Sequence, residues 1–391
     1  MALLKDAGPA DLAAFRSLFP ALTTRAYLFS GAMAPAAAPV RAAWDSWADA
    51  WSSDPNAVLT EDAMIGEMAA LRTAFANLIG ATAAEIALTD NTSRAANIAV
   101  RILAAQPGGH VVVDDTSYPS SVYPWRAGGR EVRYVPTDRV PDPTEAIVSA
   151  IDDETLAVCI SHVAPFSGQR HNLRAISQVA HAHGAVLMVD AAQTVGAVPI
   201  DVGADGVDIL VTTSMKWLLG PPGIGYLYVS RPLLSQAPVL DVGYIGLDVP
   251  LGDWPVSRLP PVSADARRYE LGLPALAGLT AARIGIELLM STGINQIFAR
   301  IEELASRCID GLADLGQTVL TPRNPDRRAG VIVLPHEQPV ALFEACREQR
   351  VDVGVLGPVG GIRIDPHGFN NEEDVDRFLA CYRQFTSQLT S

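Results

Sequence analysis

A large α/β domain with a mostly parallel seven-stranded sheet, followed by a smaller α+β domain, is the architecture this sequence predicts, and three observations predict it. Between residues 85 and 230 short apolar runs alternate with amphipathic stretches, the pattern of parallel strands joined by crossover helices. Beyond about residue 263 that alternation gives way to two long helical segments and a few short strands. A chain of 391 residues, 49% of them hydrophobic and 18% charged, is long enough and apolar enough to bury a sizeable core in such a pair of domains.

Taken in order, residues 1–25 read as an N-terminal segment. A helix is expected over 60–80, where Thr60 suits the N-cap, Glu61 and Asp62 the first turn, and Gly80 the end. Met64, Met68, Leu71, Phe75 and Leu78 recur on one face of it. Strands are expected at EIALTD (85–90), HVVVDD (110–115), EVRYVP (131–136), LAVCISHV (156–163), AVLMVDAA (185–192), DILVTT (208–213) and GYLYVS (225–230). The Pro-rich PLGDWPVSRLPPV (250–262) marks the expected boundary, giving a large domain over 26–262 and a small one over 263–391. In the latter, helices are expected near 275–291 and 293–315, then strands AGVIVLP and GGIRIDP flanking a helix around 339–350, and a last helix from about 371.

Composition excludes several functions. A net charge of −14 with no basic patch opposes binding to a phosphate backbone. No apolar run reaches the roughly 18–20 residues of a membrane span, and the start, MALLKDAGPADLAAF, has neither a basic leader nor a long apolar stretch. The four cysteines, Cys159, Cys308, Cys346 and Cys381, are scattered without a CxxC pair, which suits reduced thiols in a cytoplasm and offers no metal site.

Chemistry concentrates at strand ends. In VLMVDAAQTVG, Asp190 and Gln193 follow an apolar strand and face the crevice where open α/β sheets bind ligands. Twenty-six residues after Asp190, Lys216 follows DILVTTSM and precedes the GPPGIG turn, in an apolar stretch where an ammonium group is costly. A lysine for a Schiff base and a carboxylate to hold a pyridine nitrogen protonated together point to pyridoxal phosphate. Thr92 and Ser93 open a helix after the strand ALTD, a place where free N–H groups and the helix dipole favour an anion. Tyr118, in DDTSYPSSVYPW, is placed to lay an aromatic face on the pyridine ring.

With these residues the chain resembles the class V aminotransferase family of fold-type-I pyridoxal-phosphate enzymes, the group of cysteine desulfurases, isopenicillin epimerase-like proteins and C–S lyases. The likeness runs from AYLFSGAMAP to GGIRIDPHGFNNEEDVDRFL. It implies that Lys216 carries the cofactor as a Schiff base, Asp190 pairs with the pyridine nitrogen and Gln193 binds the phenolic oxygen. It further implies that Thr92, Ser93 and Thr213 hold the phosphate, that Tyr118 stacks on the ring, and that Arg363 clamps the substrate's α-carboxylate, a task suited to a guanidinium fork. A homodimer is implied in the same way.

The sequence also departs from the family. Met215 replaces the usual histidine before the lysine, Tyr118 the histidine that desulfurases stack on the ring, Pro165 a frequent asparagine, and Leu273 the threonine of a GTP segment that reaches a neighbouring subunit's phosphate. VDVGVLGPVGGIR (351–363) lacks the desulfurase cysteine, and Cys159 and Cys346 read as small buried hydrophobes, so persulfide transfer is not expected. His162 and His171 read as structural histidines and Trp217 as a packing anchor. The expected activity is β-elimination from a cysteine S-conjugate, ahead of transamination, epimerisation or decarboxylation of an α-amino acid; a non-catalytic binding protein would have no need of Lys216, Asp190 and Arg363 together.

Overall fold

The computed structural model describes residues 11–104, 109–137, 140 and 142–389, so the first ten residues of the expected N-terminal segment lie outside the described ones. After a short helix, α1 (Leu12–Ser17), the strand β1 (Ala26–Tyr27) pairs in parallel with a distant one, Val351–Asp352. The main sheet follows from β2 (Ile86–Thr89), β3 (His110–Asp114), β4 (Val132–Val135), β5 (Thr155–Ser161), β6 (Val186–Asp190), β7 (Ile209–Thr213) and β8 (Gly225–Val229). Its order is β2-β8-β7-β6-β5-β3-β4, and β8 alone runs against the others. The fold is thus α/β with a mostly parallel seven-stranded sheet, each strand within two residues of its expected limits.

Strands β3, β5, β7 and β8 are buried from end to end because both faces are covered. Alternation divides their side chains between two cores. Leu210, Val158 and Ile160 join the larger one, whereas Ile209, Val211, Ala157 and Cys159 join the other. The expected helix over 60–80 divides in two. Thr60 Oγ1 does cap it, accepting from Ala63 N at 3.1 Å, and Gly80 ends it at φ 73°, but Asp62–Gly66 forms a π-helical turn before α3 (Glu67–Ile79). Met64 and Met68 are both buried as the periodicity expects, so the pattern gives no sign of the wider turn between them.

Helix α2 (Ala38–Ser53) precedes the sheet; α4 (Thr92–Ala104), α5 (Pro119–Ala127), α6 (Pro143–Ser149) and α7 (Leu173–Ala182) join its strands; α8 (Arg231–Gln236), α9 (Leu276–Thr292) and α10 (Ile294–Asp314) follow it. The last two meet at Gly293, whose φ of 93° few other residues tolerate. An antiparallel sheet of Gly354–Leu356, Gly361–Ile364 and Ile332–Pro335, in that order, then packs with the helices Pro339–Glu348 and Glu372–Leu389. Their core takes in Ala26 from the first strand and Leu28 just after it, as well as Cys308, Cys346 and Cys381. Among the described residues no helix is long and apolar enough to cross a membrane, and no group of three or more His, Cys, Asp or Glu is placed to hold a metal.

Candidate active site

The carboxyl ends of the parallel strands converge on a cavity of about 640 Å³. β6 delivers Asp190 as its last residue, β7 delivers Thr213, and the turn after β7 delivers Lys216. That turn is held tightly. Gly220 N donates to Ser214 O at 2.9 Å, Leu219 takes a φ of 61°, and a Cβ at Gly285 would lie 2.6 Å from Leu218 O. On the opposite wall α4 begins, its first turn capped by Asn91 Oδ1, which accepts from Arg94 N at 2.9 Å. Gly225 lets this helix end approach the sheet, since a Cβ there would lie 2.7 Å from Asn91 Cα.

All eight residues singled out from the sequence line this one cavity. Thr92 and Ser93 stand at the start of α4, Tyr118 at the start of α5, and Asp190, Gln193, Thr213 and Lys216 at the sheet's edge. Arg363 comes from the small antiparallel sheet. Met215 and Pro165 line it too, whereas Leu273 lies on a different cleft.

Lys216 Nζ lies 5.6 Å from the centroid of the Tyr118 ring and has no hydrogen-bond or ion-pair partner among the described residues. Burial, reinforced by the positive charge of Arg363, pushes its ammonium down to about 8. Asp190 shows the mirror image. Its carboxylate accepts from Ser121 Oγ at 2.6 Å and Ala192 N at 3.0 Å and pairs with no cation among the described residues, and burial raises its proton affinity. Arg363 donates from Nε to Asp365 Oδ1 at 2.8 Å and from Nη2 to Gln193 Oε1 at 2.7 Å, leaving Nη1 without a partner among the described residues. Asp365 Oδ2 is buried, with the Gly31 backbone beside it and no partner at full hydrogen-bond geometry among the described residues.

Two of these residues also bond to other parts of the protein. Gln193 donates from Nε2 to Gly31 O at 3.1 Å and accepts at Oε1 from Trp217 Nε1 at 2.8 Å as well as from Arg363, which leaves one amide N–H uncommitted among the described residues. Trp217 is therefore a hydrogen-bonding anchor for Gln193 as well as a packing one. Thr213 Oγ1 donates to Ile224 O at 3.2 Å, so its one O–H is committed to backbone. The hydroxyls of Thr92 and Ser93 have no such commitment among the described residues.

Sequence reasoning missed Ser121, Gly31 and Asp365. Ser121 fixes Asp190 from a position 69 residues away. A Cβ at Gly31 would overlap Arg363 Nη2 and lie 2.6 Å from Asp365 Oδ2. Asp365 carried a readable signal, since it follows Arg363 by two residues at the end of a strand and so shares its face. His162 and His171 are buried and do not line the cavity, and burial drives His162 down to about 3, which keeps it neutral. All four cysteines are free and buried, and Cys346 and Cys381 bring their sulfurs within 3.2 Å of each other.

The residues present fit pyridoxal phosphate. A buried carboxylate without a cation, a depressed amine without an anion, a helix start with two spare hydroxyls and an aromatic face beside the amine meet the ring nitrogen, aldehyde, phosphate and ring plane in turn.

The family model for aminotransferase class-V matches residues 26–354. An uncharacterized aminotransferase of Bacillus subtilis, YcbU, is 28% identical over 362 residues, covering 92% of this chain and 94% of its own. Isopenicillin N epimerase of Streptomyces clavuligerus is 27% identical over 84% of this chain and 87% of its own. Among solved structures, an apo cysteine desulfurase from Thermococcus onnurineus superposes with a TM-score of 0.85 at 22% identity over 96% of this chain and 98% of its own. The cystine C–S lyase C-DES, bound to cysteine persulfide, does so with 0.83 at 21% identity over 93% and 98%.

Proposed function

We propose, starting from the premise that the chain belongs to the class V aminotransferase family of enzymes, that it uses pyridoxal 5′-phosphate to eliminate a thiol from a cysteine S-conjugate. The observation that carries this reading is that, among the described residues, the Lys216 amine and Arg363 Nη1 have no partner in a cavity that also presents Asp190 and that no cysteine lines.

When bound, pyridoxal phosphate supplies an electron-withdrawing ring that stabilises negative charge at the substrate's Cα. Lys216 Nζ would hold its aldehyde carbon, Asp190 its ring nitrogen, Thr92 and Ser93 with the N–H groups of α4 its phosphate, and Tyr118 one face of its ring. A cationic nitrogen opposite Asp190 would keep that carboxylate charged despite its burial. Arg363, oriented by Asp365 and Gln193, offers Nη1 to the substrate carboxylate. Lys216 Nζ, pushed down to about 8, is in part neutral near pH 7 and can take the Cα proton.

Loss of that proton and of the Cβ–S bond, followed by hydrolysis, gives thiol, pyruvate and ammonia without any protein nucleophile at sulfur. The absence of a cysteine from 351–363 supports this outcome over persulfide transfer. On the same premise we propose a homodimer, and four buried free thiols favour a reducing, cytoplasmic setting. The test is incubation of the holoenzyme with a panel of cysteine S-conjugates and free amino acids. Equimolar thiol and pyruvate are expected, and efficient amino-group exchange or Cα inversion with no thiol from any conjugate would overturn the elimination.

A further inference from the structure

A second cavity, of about 810 Å³, opens beside the first and shares two of its walls, Pro119 and Phe166. The segment after the strand Gly354–Leu356 also borders both, with Gly357 on the first cavity and Val359 on the second. Aromatic rings lead from one to the other. Lys216 Nζ faces Tyr118 at 5.6 Å, and Tyr118 is stacked on Phe166 with centroids 6.2 Å apart and planes 19° from parallel. Beyond Phe166 the walls carry Tyr123 and Tyr134, 64% and 45% exposed, which is a large apolar surface to leave open on two rings.

Resting on the amino-acid reading above, we propose that this second cavity receives the substrate's β-substituent, and that the substrate is an α-amino acid whose side chain is large, planar and either uncharged or cationic. Size follows from volume, because a methyl or thiol substituent would leave the 810 Å³ unfilled. Planarity follows from the rings of Phe166, Tyr123 and Tyr134, which prefer offset or edge contacts with another ring. Charge follows from the lining. Asp114 and Asp115 are its carboxylates, and among the described residues no Lys, Arg or His faces it. Asp114 is buried and accepts from Thr116 N, Thr116 Oγ1 and Ser117 Oγ, whereas Asp115, exposed at the rim, accepts from Thr137 N and Oγ1 at Oδ1 alone, so its Oδ2 sets the sign. The chain's net charge of −14 acts in the same direction.

The test measures dissociation constants by calorimetry on the holoprotein of Lys216→Ala, which binds without consuming ligand. The ligands are S-methyl-, S-benzyl-, S-(2-aminoethyl)- and S-(2-carboxyethyl)cysteine. S-benzylcysteine is expected to bind about tenfold tighter than S-methylcysteine, the effect of two ring contacts, and the aminoethyl ligand tighter than the carboxyethyl one. In the further variant Tyr123→Ala/Tyr134→Ala, the benzyl advantage should vanish while S-methylcysteine binds as before. Should that variant fold poorly, the ligand series on the protein with both tyrosines decides alone. Binding of S-methylcysteine with no preference for size or charge would overturn this inference and leave the proposed function standing, whereas binding by none of the four would overturn both.

Discussion

Two arginine–carboxylate pairs among the described residues, both with each partner deeply buried, are built in opposite ways. Arg72 and Glu270 close on each other: Nε and Nη2 reach the two carboxylate oxygens at 2.8 and 2.9 Å, and Leu88 N adds a third bond at 2.8 Å. Arg363 and Asp365 share a single bond at 2.8 Å; among the described residues Nη1 is spare on one side, and Oδ2 lacks a partner at full hydrogen-bond geometry on the other. The first pair is finished by the protein and ties α3 to the segment before α9. The second is left incomplete, and an incomplete buried pair costs stability unless something else completes it. The difference teaches where this chain keeps capacity for a ligand: at the cavity, and not in the tie that holds the sheet to its helices.

Four substitutions or titrations would break or sharpen that contrast. The largest effect should come from Lys216→Ala, which is expected to lower turnover by a factor of about 10³ or more, in line with removing both a covalent anchor and a general base. The thermal midpoint of the cofactor-free protein should hardly move, because nothing among the described residues is bonded to Nζ; a large fall there would mean that the lysine holds the fold. Next, Glu270→Gln should cost about 3–5 kcal/mol in urea unfolding by leaving Arg72 buried without its counter-charge, with turnover per folded molecule unchanged. Asp365→Asn should reverse that balance. A fall in kcat/KM of about tenfold, seen mainly in KM for the amino acid, is expected with a smaller loss of stability, since burial already favours the neutral form of Asp365. An equal stability loss in the two variants would erase the distinction.

The smallest effect is a pH dependence. Only the neutral amine attacks an aldehyde, and Lys216 lies at about 8, below the ordinary lysine value. Uptake of pyridoxal phosphate by the cofactor-free protein should therefore accelerate about tenfold per unit as pH rises toward 8 and level off above it. Stopped-flow absorbance would show it. A rate still climbing through pH 10 would mean that the amine is as exposed as an ordinary lysine.

Much of this was legible in the sequence because parallel strands deliver their chemistry in order. Asp190 and Lys216 each follow an apolar run, and in such a sheet the ends of neighbouring strands β6 and β7 must lie side by side. Arg363 could be placed only by resemblance, since no local pattern links position 363 to position 216. The supporting groups were hidden for the same reason: Gly31 meets Gln193 across 162 positions and Ser121 meets Asp190 across 69, and neither contact leaves a spacing to read. The π-helical turn at Asp62–Gly66 escaped because a wider turn preserves the buried face that periodicity detects.

The pairing of β1 with Val351–Asp352 bears on how the chain is made. As a ribosome works from residue 26 to residue 351 at about 5–20 residues per second, the first strand waits on the order of 20–60 s for its mate. Gly31, whose carbonyl receives Gln193 and whose bare α-carbon leaves room for Arg363, waits with it. Nascent chains can therefore acquire the sheet that carries Asp190 and Lys216 well before they acquire a finished pocket.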